Sequence, residues 1–199
     1  MELKIPTRED FRAFYNCVLT EAFPEEELKP LKAMEALWDM GRYRPWCMYE
    51  DGNIIGCALV WQREPGWVLF DYLCVTRERR GGGLGAALIS EMLQKERGNV
   101  LFGEAEIVKF APDGAMASRR MAFYERNGAR RAKYDTLLFG VPYHTLYWAE
   151  GAVDEAELLQ KHRELYREHF TNGRYEKYIS IPWDESMGIP KLLPWEEEI

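Results

Sequence analysis

No stretch of the 199-residue chain approaches the roughly 18 consecutive apolar residues that a membrane-spanning helix needs. The N-terminus, Met1-Glu2-Leu3-Lys4-Ile5-Pro6-Thr7-Arg8-Glu9-Asp10, lacks the apolar core of a secretion signal, so export is not expected. Four cysteines (Cys17, Cys47, Cys57, Cys74) form no CxxC pair and sit among apolar residues, which reads as buried free thiols in a reducing cytoplasm. Three histidines (His144, His162, His169) lack metal-ligand spacing, and no metal is expected. Positive charge is in deficit: 26 Lys and Arg against 33 Asp and Glu leave a net charge of −7. A general nucleic-acid binder needs a basic footprint, so that class is excluded, and a neutral or cationic partner suits the balance better. Internal repeats and low-complexity tracts are also missing.

What is present describes a folded domain. Hydrophobic residues make up 47% of the chain, and a chain of this mass buries roughly 70% of its unfolded surface. Thr7 followed by Asp10 predicts a capped helix start, with Phe11, Phe14, Tyr15, Val18 and Leu19 at helical spacing. Pro24 and the acids Glu25, Glu26 and Glu27 predict a second helix, running to about Gly41. Tyr43–Glu50 and Ile54–Gln62 read as a hairpin about Asp51-Gly52, and Trp67–Val75 as a third, nearly all-apolar strand. A charged, glycine-rich loop and a helix from Leu84 to about Arg97 follow. Then come a strand over residues 100–108, a helix over 115–127 and a closing strand pair, 129–138 and 143–149. Beyond Gly151 an amphipathic helix spans 154–170, carrying Leu158, Leu159, His162, Leu165, Tyr166 and Phe170, and a short tail ends the chain at Trp195–Ile199. We therefore expect a domain over residues 1–150 and a C-terminal extension over 151–199 that packs on it.

The informative stretch is Leu73-Cys74-Val75-Thr76-Arg77-Glu78-Arg79-Arg80-Gly81-Gly82-Gly83-Leu84-Gly85-Ala86. A buried strand runs into a glycine turn flanked by arginines and then into a helix start. Glycines let a backbone approach a ligand, and a helix N-terminus adds partial positive charge. Phosphate or pyrophosphate is the matching ligand, and a purely structural turn leaves the arginines unexplained. A P-loop is excluded because no lysine and hydroxyl follow the glycines. A dinucleotide fingerprint competes: Gly81-x-Gly83-x-x-Ala86 fits it, with Glu104 and Glu106 near the expected acidic position. That reading, a small nucleotide-dependent oxidoreductase, suffers because the motif follows some 80 residues of helix and hairpin.

The segment Arg80-Gly81-Gly82-Gly83-Leu84-Gly85 resembles the acetyl-CoA motif of the GCN5-related N-acetyltransferase (GNAT) superfamily, Arg/Gln-x-x-Gly-x-Gly/Ala. A second stretch, Phe123-Tyr124-Glu125-Arg126-Asn127-Gly128-Ala129, resembles the same family's later helix end. The order of elements over about residues 1–150 also matches. Three positions depart from the pattern: Gly82 stands where a basic residue is frequent, Ala129 where Phe is usual and Ala117 where Asn is frequent. The resemblance implies an α/β (α+β) fold. It has a mixed, mostly antiparallel central sheet flanked by helices, a splayed parallel strand pair holding the cofactor, and here a C-terminal helical extension.

It further implies an acetyltransferase that uses acetyl-CoA as acetyl donor and takes a small-molecule or peptide amine as acceptor. The main chain of Leu73, Cys74 and Val75 would meet the pantetheine arm. Arg80, Gly81, Gly82, Gly83, Leu84, Gly85 and Ala86 would hold the pyrophosphate. Tyr124 stands where the family supplies a general acid, and a phenol suits a departing thiolate; its alternative is a buried tyrosine that only touches the cofactor. An amine must lose a proton before it attacks. Glu104 and Glu106 share one face of their strand, and Asp71 is expected on the face of Leu73 and Val75. A carboxylate from this set or an ordered water is the base; otherwise the acids are rim charges paired with Arg119 or Arg120. Cys74 reads as packing. A protein of this fold that binds acyl-CoA without turnover is the other reading, as a monomer or homodimer.

Overall fold

A computed structural model of the chain describes residues 1–24 and 27–190. The chain forms two compact units, Met1–Arg97 and Gly98–Ile199. Each is a mixed α/β assembly built on antiparallel strands.

In the first unit, the Thr7 hydroxyl accepts from the Asp10 amide at 3.1 Å, and the capped helix α1 (Arg8–Phe14) begins where the sequence predicts. It continues as a π-helical turn over Tyr15–Leu19 and a short α2 (Thr20–Ala22), so that Phe11, Phe14, Tyr15 and Leu19 all stay buried. The second helix does not start at Pro24. It is α3 (Leu31–Asp39), with Pro30 at its cap. A proline ring disfavours helical backbone at the residue before it, so Lys29 is held outside the helix while Pro30 presets the first turn. Glu25 and Glu26 lie outside the described residues.

Strands β1 (Glu2–Lys4), β2 (Tyr43–Glu50), β3 (Asn53–Glu64) and β4 (Trp67–Val75) pair in that order, each antiparallel to the next. β1 is an addition to the predicted set. Asp51 and Gly52 take φ of 49° and 81°, the left-handed pair that a two-residue hairpin requires. Helix α4 (Leu84–Lys95) packs on β3 and β4. Their close approach depends on Gly56: a Cβ there would sit 2.9 Å from both the Cys74 carbonyl and Leu88 Cδ1. The far end of α4 is tied to β2 through buried Glu96, which accepts from Arg44 Nε (2.7 Å), Arg44 NH2 (2.6 Å) and Trp46 Nε1 (2.8 Å).

The second unit holds β5 (Val100–Glu106), α5 (Gly114–Arg126), β6 (Arg130–Leu138), β7 (Val141–Trp148), α6 (Glu155–His169), α7 (Arg174–Tyr178) and β8 (Ile179–Trp183). Its strands lie in the order β5-β7-β6-β8, again all antiparallel. Asp113 caps α5 and Asp154 caps α6, each side chain accepting an amide at 2.9 Å. Where the sequence suggested only a tail, β8 adds to the edge of β6: Ile179, Ile181 and Trp183 are buried and alternate with Ser180 and Pro182. A proline is tolerated there because an outer strand leaves one side unpaired. Helix α6 packs on β6 and β8, so the extension is part of this unit's core. The Trp195–Ile199 segment lies outside the described residues.

Among the described residues no helix is long and apolar enough to cross a membrane. No group of three or more His, Cys, Asp or Glu side chains among them is arranged to hold a metal ion.

Candidate functional site

The glycine loop in the first unit is open and polar. After a 3-10 turn at Arg77–Arg79, Gly81 and Gly83 adopt φ of 82° and 79°, and Gly83 occupies the cap of α4. No side chain caps α4, unlike α1, α5 and α6. Its first amides are therefore available to an anion, and the helix dipole favours one. Arg79 is committed to Glu50 at 2.7 Å. Arg80 donates from Nε to the Val75 carbonyl at 3.2 Å and has no carboxylate partner among the described residues. That bond fixes the guanidinium at the end of β4 and leaves its charge uncompensated. Uncapped amides, left-handed glycines and an arginine without a carboxylate partner among the described residues together fit a diphosphate.

The strand leading into the loop carries Leu73, Cys74 and Val75, paired with Ala58, Cys57 and Gly56 of β3. Burial raises the Cys74 thiol to about 11, so it is a protonated packing group at neutral pH and not a nucleophile. Asp71 departs from the expectation. Leu59 pairs with Tyr72 and Val60 with Phe70, which leaves Asp71 as the extra residue of a β-bulge. Simple alternation would send Asp71 and Tyr72 to opposite faces, yet both reach Lys29: Asp71 Oδ2 lies 2.7 Å from its ammonium, and the Tyr72 hydroxyl accepts its amide at 2.8 Å. Asp71 thus shares its side with Tyr72 rather than with Leu73 and Val75.

In the second unit, Glu104 and Glu106 share a face of β5, as their spacing predicts. Glu106 Oε2 is paired with Arg120 NH1 of α5 at 2.5 Å. Glu106 Oε1 has no partner among the described residues. Arg120 and Tyr124 are neighbours one helical turn apart on α5. Tyr124 is half-buried, its ring edge-on to Trp148 at 6.0 Å. Burial pushes its phenol above the usual range, against a smaller opposing effect of Arg120, so the hydroxyl keeps its proton well past neutrality.

Glu104 is held by groups that the sequence did not assign to it. His162 Nε2 and the Tyr166 hydroxyl, both on α6, approach Oε1 at 2.8 and 2.9 Å. His162 Nδ1 is 3.1 Å from the Tyr134 hydroxyl. With the Nε2 proton on Glu104, Tyr134 donates to Nδ1 and the chain of bonds runs in one direction. The spacing of His162 and Tyr166 on one helix face was the available signal.

A further pair is legible only in three dimensions. A cavity of about 630 Å³ opens beside β6 and β8, with Asp135, His144, Phe110 and Trp183 in its wall. His144 Nδ1 lies 2.9 Å from Asp135 Oδ1 across the β6–β7 ladder. A carboxylate on Nδ1 holds the ring with Nε2 as its acceptor nitrogen.

Residues 41–128 match the family described as Acetyltransferase (GNAT) domain. The chain is 26% identical over 188 residues to the protein of Bacillus subtilis (strain 168) named "Putative acetyltransferase YjbC", covering 90% of this chain and 93% of that one. Among solved structures, a GNAT-family protein from Bacteroides thetaiotaomicron, titled a putative acetyltransferase, superposes with a TM-score of 0.67 at 20% identity, covering 82% of this chain and 94% of that one. An aminoglycoside 6'-N-acetyltransferase complexed with coenzyme A gives 0.56 at 11% identity, covering 77% and 99%. At those identities the structural likeness speaks to the fold.

Proposed function

With residues 41–128 an acetyltransferase domain of the GNAT superfamily, we propose that the chain transfers an acetyl group from acetyl-CoA directly to a primary amine. The observation that carries this reading is the uncapped start of α4 behind two left-handed glycines, with Arg80 beside it bound to no carboxylate among the described residues. When bound, acetyl-CoA supplies the activated acyl group. Backbone amides of Gly81 to Ala86 and the Arg80 guanidinium hold the diphosphate. The main chain of Leu73, Cys74 and Val75 holds the pantetheine arm by strand-like hydrogen bonds, and an amide near Val75 polarises the thioester carbonyl.

Tyr124 gives its phenolic proton to the departing sulfur; burial keeps that proton in place at neutral pH, and the negative charge developing on sulfur draws it off. Glu106, through Oε1, receives the acceptor's ammonium and takes its proton directly or through a water. Arg120 on Oε2 fixes the carboxylate and is half exposed, so this ion pair yields readily. Glu104 is the second candidate. Its carboxylate is more firmly held, by His162 and Tyr166. The acceptor is an amine by analogy with relatives such as the aminoglycoside enzyme.

Calorimetric titration of acetyl-CoA, with NADH as control, tests the cofactor class. Micromolar acetyl-CoA binding with silent NADH is expected; the reverse overturns the reading. An amine screen by thiol release then tests turnover. Tyr124→Phe should keep acetyl-CoA affinity and lower turnover about 100-fold. Unchanged turnover removes Tyr124 as the acid, and no turnover with any amine leaves a binding protein.

A further inference from the structure

The chain's own Lys29 sits in a site with the chemistry of an ammonium receptor. Its Nζ lies 4.9 Å from the ring centre of Trp61, 5.6 Å from Tyr72 and 5.8 Å from Tyr43. Asp71 Oδ2 is 2.7 Å away and also accepts from the Tyr43 hydroxyl at 2.7 Å. The side chains of Lys29 and Asp71 are only 12% and 10% exposed, so the ammonium has largely traded water for one carboxylate and three aromatic rings. Ring faces attract a cation, most strongly when it is desolvated. Asp71 Oδ1 has no partner among the described residues and is a second acceptor for an N–H. Burial, followed by the negative charge of Asp71, holds the Tyr43 phenol well above its ordinary range, so it remains a donor to the carboxylate.

The Lys29 main chain is held by bonds that do not involve its ammonium. The Tyr15 hydroxyl donates to the Lys29 carbonyl at 3.0 Å, the Lys29 amide donates to Tyr72 at 2.8 Å, and Tyr72 donates to the Glu27 carbonyl at 2.7 Å. None of these three bonds would be broken if the ammonium left its place beside Asp71. The cage in turn depends on the bulge at Asp71, which turns Asp71 and Tyr72 to one side. An empty cage would leave a buried carboxylate without its counter-charge, a costly state. A resident ammonium removes that cost until another arrives.

We infer that Asp71, Tyr43, Trp61 and Tyr72 form a receptor for a primary ammonium on an unbranched alkyl stem, and that Lys29 is its tethered occupant, displaced when an external amine of that class binds. Its use in selecting the acceptor rests on the amine-transfer reading above; its chemistry does not. The acceptor class becomes linear alkylamines, and binding carries the cost of expelling Lys29.

The test uses n-butylammonium without acetyl-CoA. Lys29→Ala, checked for an unchanged circular-dichroism spectrum, should bind it at least tenfold more tightly than the parent by calorimetry, and adding Asp71→Asn should abolish the gain. A folded Lys29→Ala with no gain overturns the inference. A second measurement uses the unmodified protein labelled with ¹⁵N-lysine. The Lys29 ammonium resonance should shift and lose its protection from exchange as n-butylammonium is added, and a resonance unmoved at saturating probe also overturns it. Failure of acetyl-CoA to bind would sink the transfer reading and leave the receptor standing. Normal acetyl transfer with no butylammonium effect would sink the receptor alone.

Discussion

At the end of β4 the polar groups stand uncommitted, whereas on β5 the carboxylates are already engaged. Among the described residues Arg80 lacks a counter-ion, α4 lacks a side-chain cap, and nothing lies within 4 Å of where a Cβ would stand at Gly81 or Gly83. Glu104 has two donors on one oxygen, and Glu106 has an arginine. The contrast follows from solvation. An exposed loop can leave cations and amides to water until a ligand replaces it. A carboxylate that is 10 to 13% exposed has lost most of its water and must be matched within the fold. Acceptor chemistry on β5 therefore has to use the remaining oxygen of a partly satisfied acid, whereas anion binding at α4 starts from an open site.

Three experiments press on this contrast. The largest effect is expected from alkali. Burial raises the phenols of Tyr43, Tyr124 and Tyr134 and the thiols of Cys47, Cys57 and Cys74. Below about pH 8 these groups are neutral in both folded and unfolded chains and do not affect the balance. Above their unfolded values the unfolded chain releases protons that the folded chain retains, so stability falls as pH rises. Cys74 alone, raised from 9.0 to about 11, accounts for about 3 kcal/mol. Because the thiols lie in residues 1–97, hydrogen exchange between pH 8 and 11 should show β3 losing protection before β6. Equal loss in both units would break the contrast.

Next, His162→Ala should destabilise the second unit by about 3 kcal/mol, because it opens a cavity at a fully buried position and strips a donor from Glu104. In a urea-denaturation cycle with Glu104→Gln, the two changes should couple by about 1 kcal/mol or more. Strict additivity would show that their contact carries no energy. The smallest effect is expected from Arg120→Ala, below about 1 kcal/mol, since the arginine is 43% exposed. A loss above about 2 kcal/mol would place Glu106 with Glu104 as a structural acid and weaken its case as the base.

Local signals in the sequence were read well where a single segment decides the outcome. Thr7 with Asp10, Asp51-Gly52, the nearly all-apolar β4 and the glycine turn each specify their own geometry, and each stands where expected. The second helix was misplaced because Pro30 was given no weight against Pro24. β8 was missed because five residues interrupted by a proline make a weak strand unless an edge such as β6 is present to receive them. Asp71 was turned the wrong way because strand alternation holds only without a bulge. The spacing of His162 and Tyr166 put them on one helix face, but they lie 58 and 62 residues from Glu104, so the sequence did not say which acid that face would meet.

That separation also gives the molecule a history. Synthesis proceeds from the N-terminus, and β5 leaves the ribosome well before α6 has been translated. During that interval Glu104 can be satisfied only by water, and the outer edge of β6 waits for β8. The second unit thus reaches its final arrangement only once its last helix and strand have been made. Pauses in translation between residues 150 and 185 should lengthen the life of an aggregation-prone intermediate of the second unit.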